Sequence, residues 1–273
     1  MRSVFSLYIA AFLLCTVVLG AIMGPELSQY DGETIDWEQL EHPPTTKHWF
    51  GTDVIGRDLF VRTMEGARIS LTVALITAAI SLLIGIPWGA TAGYLGGQVD
   101  QVMMRIVDGI YCVPGILVVI LLVVLFGQNQ YLLFAGLGAI SWLNLARIVR
   151  GQTLVLKSSP YIEAARSLGA GTGYILFRHV VPNLIGPVIV YTTLLIPGVI
   201  LAESFISFLG LGIQEPETSW GVLVSDGTET METSPWILIF PGTCLALTIW
   251  CLNTLGDCLR DRLDQRANIG KLT

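Results

Sequence analysis

The chain has 273 residues, 53% of them hydrophobic and only 13% charged, with a mean hydropathy of +0.67. A soluble domain carries about 25% charged residues, so this chain has too little charge to solvate a globular surface, and a soluble protein is excluded. The formal charge of −6 matters less than where the charges sit, and no nucleic-acid partner or cofactor is expected.

A helix crosses the hydrocarbon core of a bilayer with about 20 apolar residues. Six runs are of that order: 4–24, 70–94, 109–126, 131–149, 184–211 and 236–256. Backbone groups in lipid must be satisfied within the segment, so an all-α, polytopic membrane protein of about six spans is predicted. Pro87, Pro114, Pro187, Pro197 and Pro241 fall inside or near the ends of runs, where kinks are expected. The first run follows a short basic start, as in a signal peptide. It exceeds the usual 7–15 residue apolar stretch and lacks a clear small-residue cleavage site, so it is read as a retained span.

Six spans put both termini on one side. Arg2, Arg105, Arg147, Arg150, Lys157, Arg166, Arg178, Arg260, Arg262, Arg266 and Lys271 share that side, against Lys47, Arg57, Arg62 and Arg68 opposite. The bias predicts cytoplasmic termini in a multi-pass inner-membrane protein. The outer loops collect acids instead, from Glu26 to Glu65 and from Glu215 to Glu232.

The longest inner loop, 151–183, connects the fourth and fifth spans. "KSSPYIEAARSLGAG" reads as a short helix capped by Ser158 or Ser159, with Pro160 at the first helical position. Glu163 lies near the positive end of its dipole, and Gly169 or Gly171 supplies a left-handed stop. Ala164 and Ala165 leave part of the surface bare, where another backbone can approach. Such a segment is either an amphipathic connector or a docking helix that passes a push into the flanking spans.

The spacing of Glu163, Ala164, Ala165, Gly169 and Pro182 resembles the EAA loop of ABC-importer permeases. In that family the loop is the coupling helix that sits in a groove of the ATPase. His179 and Val181 depart from the apolar residue and leucine usual there, and leave the Glu163–Gly169 surface intact. "HWFGTDVIGRDLFVRTMEGARISL" (48–71), "SFLGLGIQEPETSWGVLV" (207–224) and "LGDCLRDRLDQR" (255–266) resemble the dipeptide, oligopeptide and nickel branch, in particular its C-type permease subunit. The resemblance implies the type I permease fold, a distinct second permease, two ATPase subunits and an extracytoplasmic substrate-binding protein docked on the loops near 25–68 and 212–235. It divides the chain into an N-terminal helix with outer loop (1–69), a permease core (70–256) and a cytoplasmic tail (257–273).

Glu203 is the one acid placed well inside a span. An intramembrane charge is costly and faces protein or a water-filled path. It is a candidate contact on the translocation route or, alternatively, a packing residue. His42 and His48, six apart in the outer loop, lack tight metal-ligand spacing, and a solvated loop is the expectation over a metal site. Asp53, Arg57, Asp58 and Arg62 alternate in sign and either order that loop or are simply solvated. "QVDQVMMRIVDGI" has helical apolar spacing and is expected on the inner membrane face, leading into the third span. Gly89 and Gly93 permit a close helix crossing.

The five cysteines are an odd number with no C-x-x-C pair and read as small buried hydrophobes. No phosphate-binding G-x-x-x-x-G-K-[ST] loop, nucleophile elbow or H-E-x-x-H helix is present, so no enzyme activity is expected and ATP hydrolysis falls to separate subunits. The rival expectation is a stand-alone secondary transporter or channel with Glu203 as its ion site.

Overall fold

A computed structural model describes residues 2–269. The helices in chain order are α1 (Arg2–Leu27), α2 (Leu59–Leu95), α3 (Gly97–Tyr111), α4 (Gly115–Phe126), α5 (Gln130–Lys157), α6 (Pro160–Ser167), α7 (Thr172–Ile175), α8 (Val181–Phe208), α9 (Trp220–Glu229) and α10 (Trp236–Ile269). A π-helical turn, Leu176–Val180, joins α7 to α8.

Five helices are long and apolar enough to cross a membrane: α1, α2, α5, α8 with the segment before it, and α10. The sixth crossing is the pair α3 and α4, bent by 69° at the break between them. Pro114 lies in that break and disfavours a helical Val113 before it, which ends α3. The 12 residues of α4 span only about 18 Å, short of a full bilayer core. Successive crossings then gather residues 28–58 and 209–235 on one face, the loop face, and the start of α1 and the end of α10 on the other, the terminal face.

α2 begins at Leu59, eleven residues before the predicted run, because the Asp58 carboxylate caps it by accepting from the Val61 N–H at 2.9 Å. The predicted boundary at residue 69 therefore falls inside a helix. At the other end, α10 runs on through the predicted tail to Ile269, and residues 270–273, with Lys271, lie outside the described residues.

The central crossing is α2 against α5. Gly85, Gly89 and Gly93 form one stripe of α2. A Cβ on Gly93 would stand 2.8 Å from the Arg150 carbonyl oxygen and 2.8 Å from Thr153 Cβ, and one on Gly89 would overlap the Ala146 carbonyl oxygen. The two backbones meet with nothing between them, as small-residue stripes allow. α3 is tied alongside by Arg150 of α5, whose Nε and Nη2 donate to Asp100 at 2.5 and 2.6 Å. Arg147 donates to Asp108 at 2.9 Å and lies over the Tyr111 ring.

Candidate functional site

On the terminal face, α6 starts where the sequence predicts: Ser159 is the N-cap and Pro160 the first residue. Its hydroxyl does not cap the helix, donating instead back to the Leu156 carbonyl at 2.6 Å. At the far end Gly169 has φ +82°, the Ala170 N–H reaches the Ala165 carbonyl at 3.1 Å, and the Gly169 N–H reaches that of Arg166 at 3.0 Å. This double closure requires the left-handed glycine. Ile162 is fully buried, in a cluster with Tyr94, Leu145, Val149, Ile175 and Leu184 from α2, α5, α7 and α8. The opposite side carries Glu163, Ala164 and Gly169, all exposed, and Leu168, 89% exposed. Ala165 is half-buried, and Pro182 is exposed in the first turn of α8. So α6 rests on three of the crossing helices and presents a small-residue face with a leucine at its rim. Tyr174 and Phe177 are exposed, whereas Ile175 and Val180 turn inward. His179 sits between the rings of Tyr161 and Tyr174.

On the loop face, Asp53, Arg57 and Arg62 form an ordered, buried cluster. Arg57 Nε donates to Asp53 Oδ2 at 2.7 Å, and Arg62 Nε lies 3.5 Å from the same oxygen. Glu215, absent from the sequence expectation as a partner, closes the cluster from more than 150 residues away. It accepts from Arg57 Nη1 at 2.5 Å and from Arg62 Nη2 at 3.1 Å. Burial works to raise the Glu215 carboxyl, but the hydrogen bond from Arg57 and the charge of Arg62 outweigh it and hold it below the usual carboxylate value. Burial pushes Asp226 on α9 up, against the opposing charge of Arg62. Two indoles complete the weave. The Trp236 N–H donates to the Thr52 carbonyl at 3.3 Å, and the Trp220 N–H to that of Thr63 at 3.2 Å. The one signal for Glu215 in the sequence was its place in the GIQEPETSW stretch, which carries no hint of which partner it meets.

Asp58 also takes His48 Nδ1 at 2.8 Å, and His48 is buried, while His42 is exposed. His48 thus serves loop structure, and among the described residues no three His, Cys, Asp or Glu side chains come together as metal ligands.

Glu203 is wholly buried, about one and a half turns before the end of α8 on the loop face. Ser207 donates to its Oε1 at 2.7 Å, and Ser70 of α2 to its Oε2 at 2.9 Å. Ser204 stands at 3.4 Å, and Ser219, the N-cap of α9, lies close by. The carboxyl therefore joins α2 to α8, beside α9, inside this subunit. Ser207 is one turn from Glu203 and visible in the sequence; Ser70 and Ser219 are not. The enclosure favours the packing role over a contact on an open route or a stand-alone ion site.

Residues 85–269 match the family described as binding-protein-dependent transport system inner membrane component. The chain belongs to that family. It is 50% identical over 266 residues to the oligopeptide transport system permease protein OppC of Haemophilus influenzae, covering 97% of this chain and 84% of that protein. It is also 50% identical to OppC of Escherichia coli (93% and 85% covered) and 45% identical to the dipeptide transport system permease protein DppC of Bacillus subtilis (93% and 80%). Among solved structures it resembles a chain of the MetNI methionine ABC transporter in an inward-facing conformation, with a TM-score of 0.59 at 15% identity, over 75% of this chain and 96% of that one. That likeness establishes the permease fold. As a membrane component of an ABC importer, the chain is a permease, with ATP hydrolysis on separate subunits.

Proposed function

We propose that this chain is the C-type permease of a peptide importer, forming half of the pathway with a distinct second permease. Relatives at 45–50% identity are named for oligopeptide or dipeptide transport, which favours peptides over nickel. The terminal face is cytoplasmic, as the lysine and arginine bias indicates. Two ATPases dock there, one of them on α6 through Glu163, Ala164, Ala165 and Gly169. A substrate-binding protein docks outside, on the loop face.

The observation that carries the coupling role is the two-sided character of α6. Ile162 locks it to the ends of α2, α5 and α8, while Glu163 and Leu168 stand free for a partner. A displacement of α6 is therefore a displacement of those helices.

The test is ATP-driven uptake of a labelled peptide by the assembled transporter carrying Glu163→Lys. Uptake is expected to fall at least about tenfold, the effect of about 1.4 kcal/mol lost at the docking surface, with membrane insertion unchanged. Undiminished uptake would remove α6 as the docking element. Co-purification of a second permease and ATPases with a tagged chain checks the assembly itself, and a chain recovered alone after crosslinking would overturn it.

A further inference from the structure

One exposed wall of the bundle differs in kind from the rest. Where α4 is open it shows only apolar side chains, such as Leu121 and Leu125, and the open mid-span of α2 shows Leu75 and Leu83, with Arg68 and Thr72 exposed towards its loop-face end. Along α5 and α8 the exposed surface is a groove of three successive clefts, the first two continuous and bordered by α4, the third bordered by α10. The one nearest the loop face holds about 200 Å³ and is lined by Leu137, Ser141, Leu195 and Gly198 among others. The next, about 320 Å³, shares Ser141 and Leu195 and extends to Tyr111 and Asn144. The third, about 500 Å³ and nearest the terminal face, is lined by Gln152, Tyr191, Leu194 and Arg260. Asn144 lines the second cleft and Tyr191 the third.

Ser141, Asn144, Ile148 and Gln152 follow one face of α5 at helical spacing. The Ser141 hydroxyl donates to the Leu137 carbonyl at 2.7 Å, but in hydrocarbon the amides of Asn144 and Gln152 would have no water to bond, so lipid is a poor occupant of this wall. Among the described residues lining the three clefts, Arg260 is the one charged group, and it lies at the terminal end.

We propose that this groove is the water-filled wall the subunit contributes to the pathway, and that Ser141, Asn144, Gln152 and Tyr191 pair with the backbone of a passing peptide. The proposal rests on the importer reading above and adds how the substrate is handled. Neutral amides and hydroxyls match the N–H and C=O groups that every peptide carries, so the wall accepts peptides without sorting them by side chain. A charged wall would hold oppositely charged peptides and repel others. Weak, replaceable hydrogen bonds let the chain move on.

The test uses the assembled transporter in membrane vesicles, with the five native cysteines replaced and single cysteines introduced at Ser141, Asn144 or Gln152. The probe is a water-soluble methanethiosulfonate. Leu83→Cys is the control, at similar depth because nearby Gly85 packs on Leu145. The three wall positions are expected to react on the order of tenfold faster than the control, since a thiol in apolar surroundings rarely ionises, and saturating peptide is expected to slow them. Reaction as slow as the control, in both nucleotide-free and vanadate-trapped transporter, overturns the wall. Peptide uptake by the unmodified transporter reports separately on the importer reading, so the two failures are distinguishable. Asn144→Ala is expected to lower uptake of neutral, acidic and basic tripeptides alike, by about two- to tenfold for one lost hydrogen bond. A loss confined to one charge class overturns the backbone assignment.

Discussion

Asp53 and Glu215 face the same two arginines from opposite sides, and their environments predict unequal consequences. The Asp53 side chain is 2% exposed, and its Oδ1 also accepts the backbone N–H groups of Ile55 at 3.0 Å and Arg57 at 2.9 Å. Asp53→Asn keeps the shape and an acceptor for those amides, but leaves Arg57 and Arg62 buried against half the opposing charge. Breaking one side of a buried pair costs about 3–5 kcal/mol. The retained backbone bonds put this case near the lower end, at about 3 kcal/mol. The Glu215 side chain is 56% exposed, so solvent screens its loss, and Glu215→Gln is expected to cost about 1 kcal/mol or less. For a chain of this size the corresponding falls in Tm are roughly 6–12 °C for Asp53→Asn and at most about 4 °C for Glu215→Gln. Thermal unfolding of the detergent-purified chain, followed by tryptophan emission, is a suitable assay because Trp236 is hydrogen-bonded to Thr52 beside the cluster. Equal shifts for the two variants would refute the reasoning, since burial would then not set the value of a charge here.

The α2–α5 crossing gives a second, self-controlled pair. Gly89→Ala forces a methyl into the Ala146 carbonyl and is expected to destabilise by about 1–3 kcal/mol in the same assay. Gly109→Ala on α3 meets open space and is expected to stabilise by about 0.5–1 kcal/mol. Acid should open the loop face through Glu215. Its folded carboxyl titrates below its ordinary value of 4.5, so its contribution is complete above that pH and lost as pH falls through the lower folded value. Asp226, raised by burial, acts in the opposite sense and sheds its penalty earlier in the same descent. Stability against pH should therefore fall on the acid limb in the native chain, and fall less in Glu215→Gln, where the remainder comes from carboxyls such as Asp100 that also pair with an arginine. Finally, Glu203→Ala strands the hydroxyls of Ser70 and Ser207, at about 1–3 kcal/mol for each one left unpaired, and equal stability to the native chain would show that those serines find other partners.

The spans were legible because a crossing helix needs a long apolar run, and five such runs survive as helices. The sixth was legible as a run but not as a break. Pro114 marks where α3 must stop, yet the direction of α3 beyond the 69° turn goes with Asp100 and Asp108 pairing with arginines of α5, which no local pattern announces. The early start of α2 was hidden by Arg62, Glu65 and Arg68, whose charges read as loop. Arg62 is tolerated in a buried turn because Glu215 reaches it from beyond α8, and a pairing that distant leaves no local pattern. α6 was the most legible local element, since its N-terminal serine and proline, its alanines and the glycine that ends it lie within one short stretch, although the Ser159 hydroxyl turns back to Leu156 instead of capping. Glu203 showed the limit of the method. The sequence announced that a buried acid needs an explanation, but two of its four serine neighbours belong to other helices.

α8 connects these observations. Its near end is continuous with the π-helical turn and packs with α6, while its far end is fixed to α2, beside α9, through Glu203 and the serines around it. Between those anchors lie Gly186, Pro187, Pro197 and Gly198, which interrupt or soften the helical hydrogen-bond ladder. The same stretch carries Tyr191 and Leu195, which line the polar groove. In the proposed importer, a push delivered to α6 meets a helix held at its far end and pliable in its middle. The strain is then released where α8 borders the groove, so the coupling helix changes the pathway wall without disturbing the charge cluster that organises the outer loops.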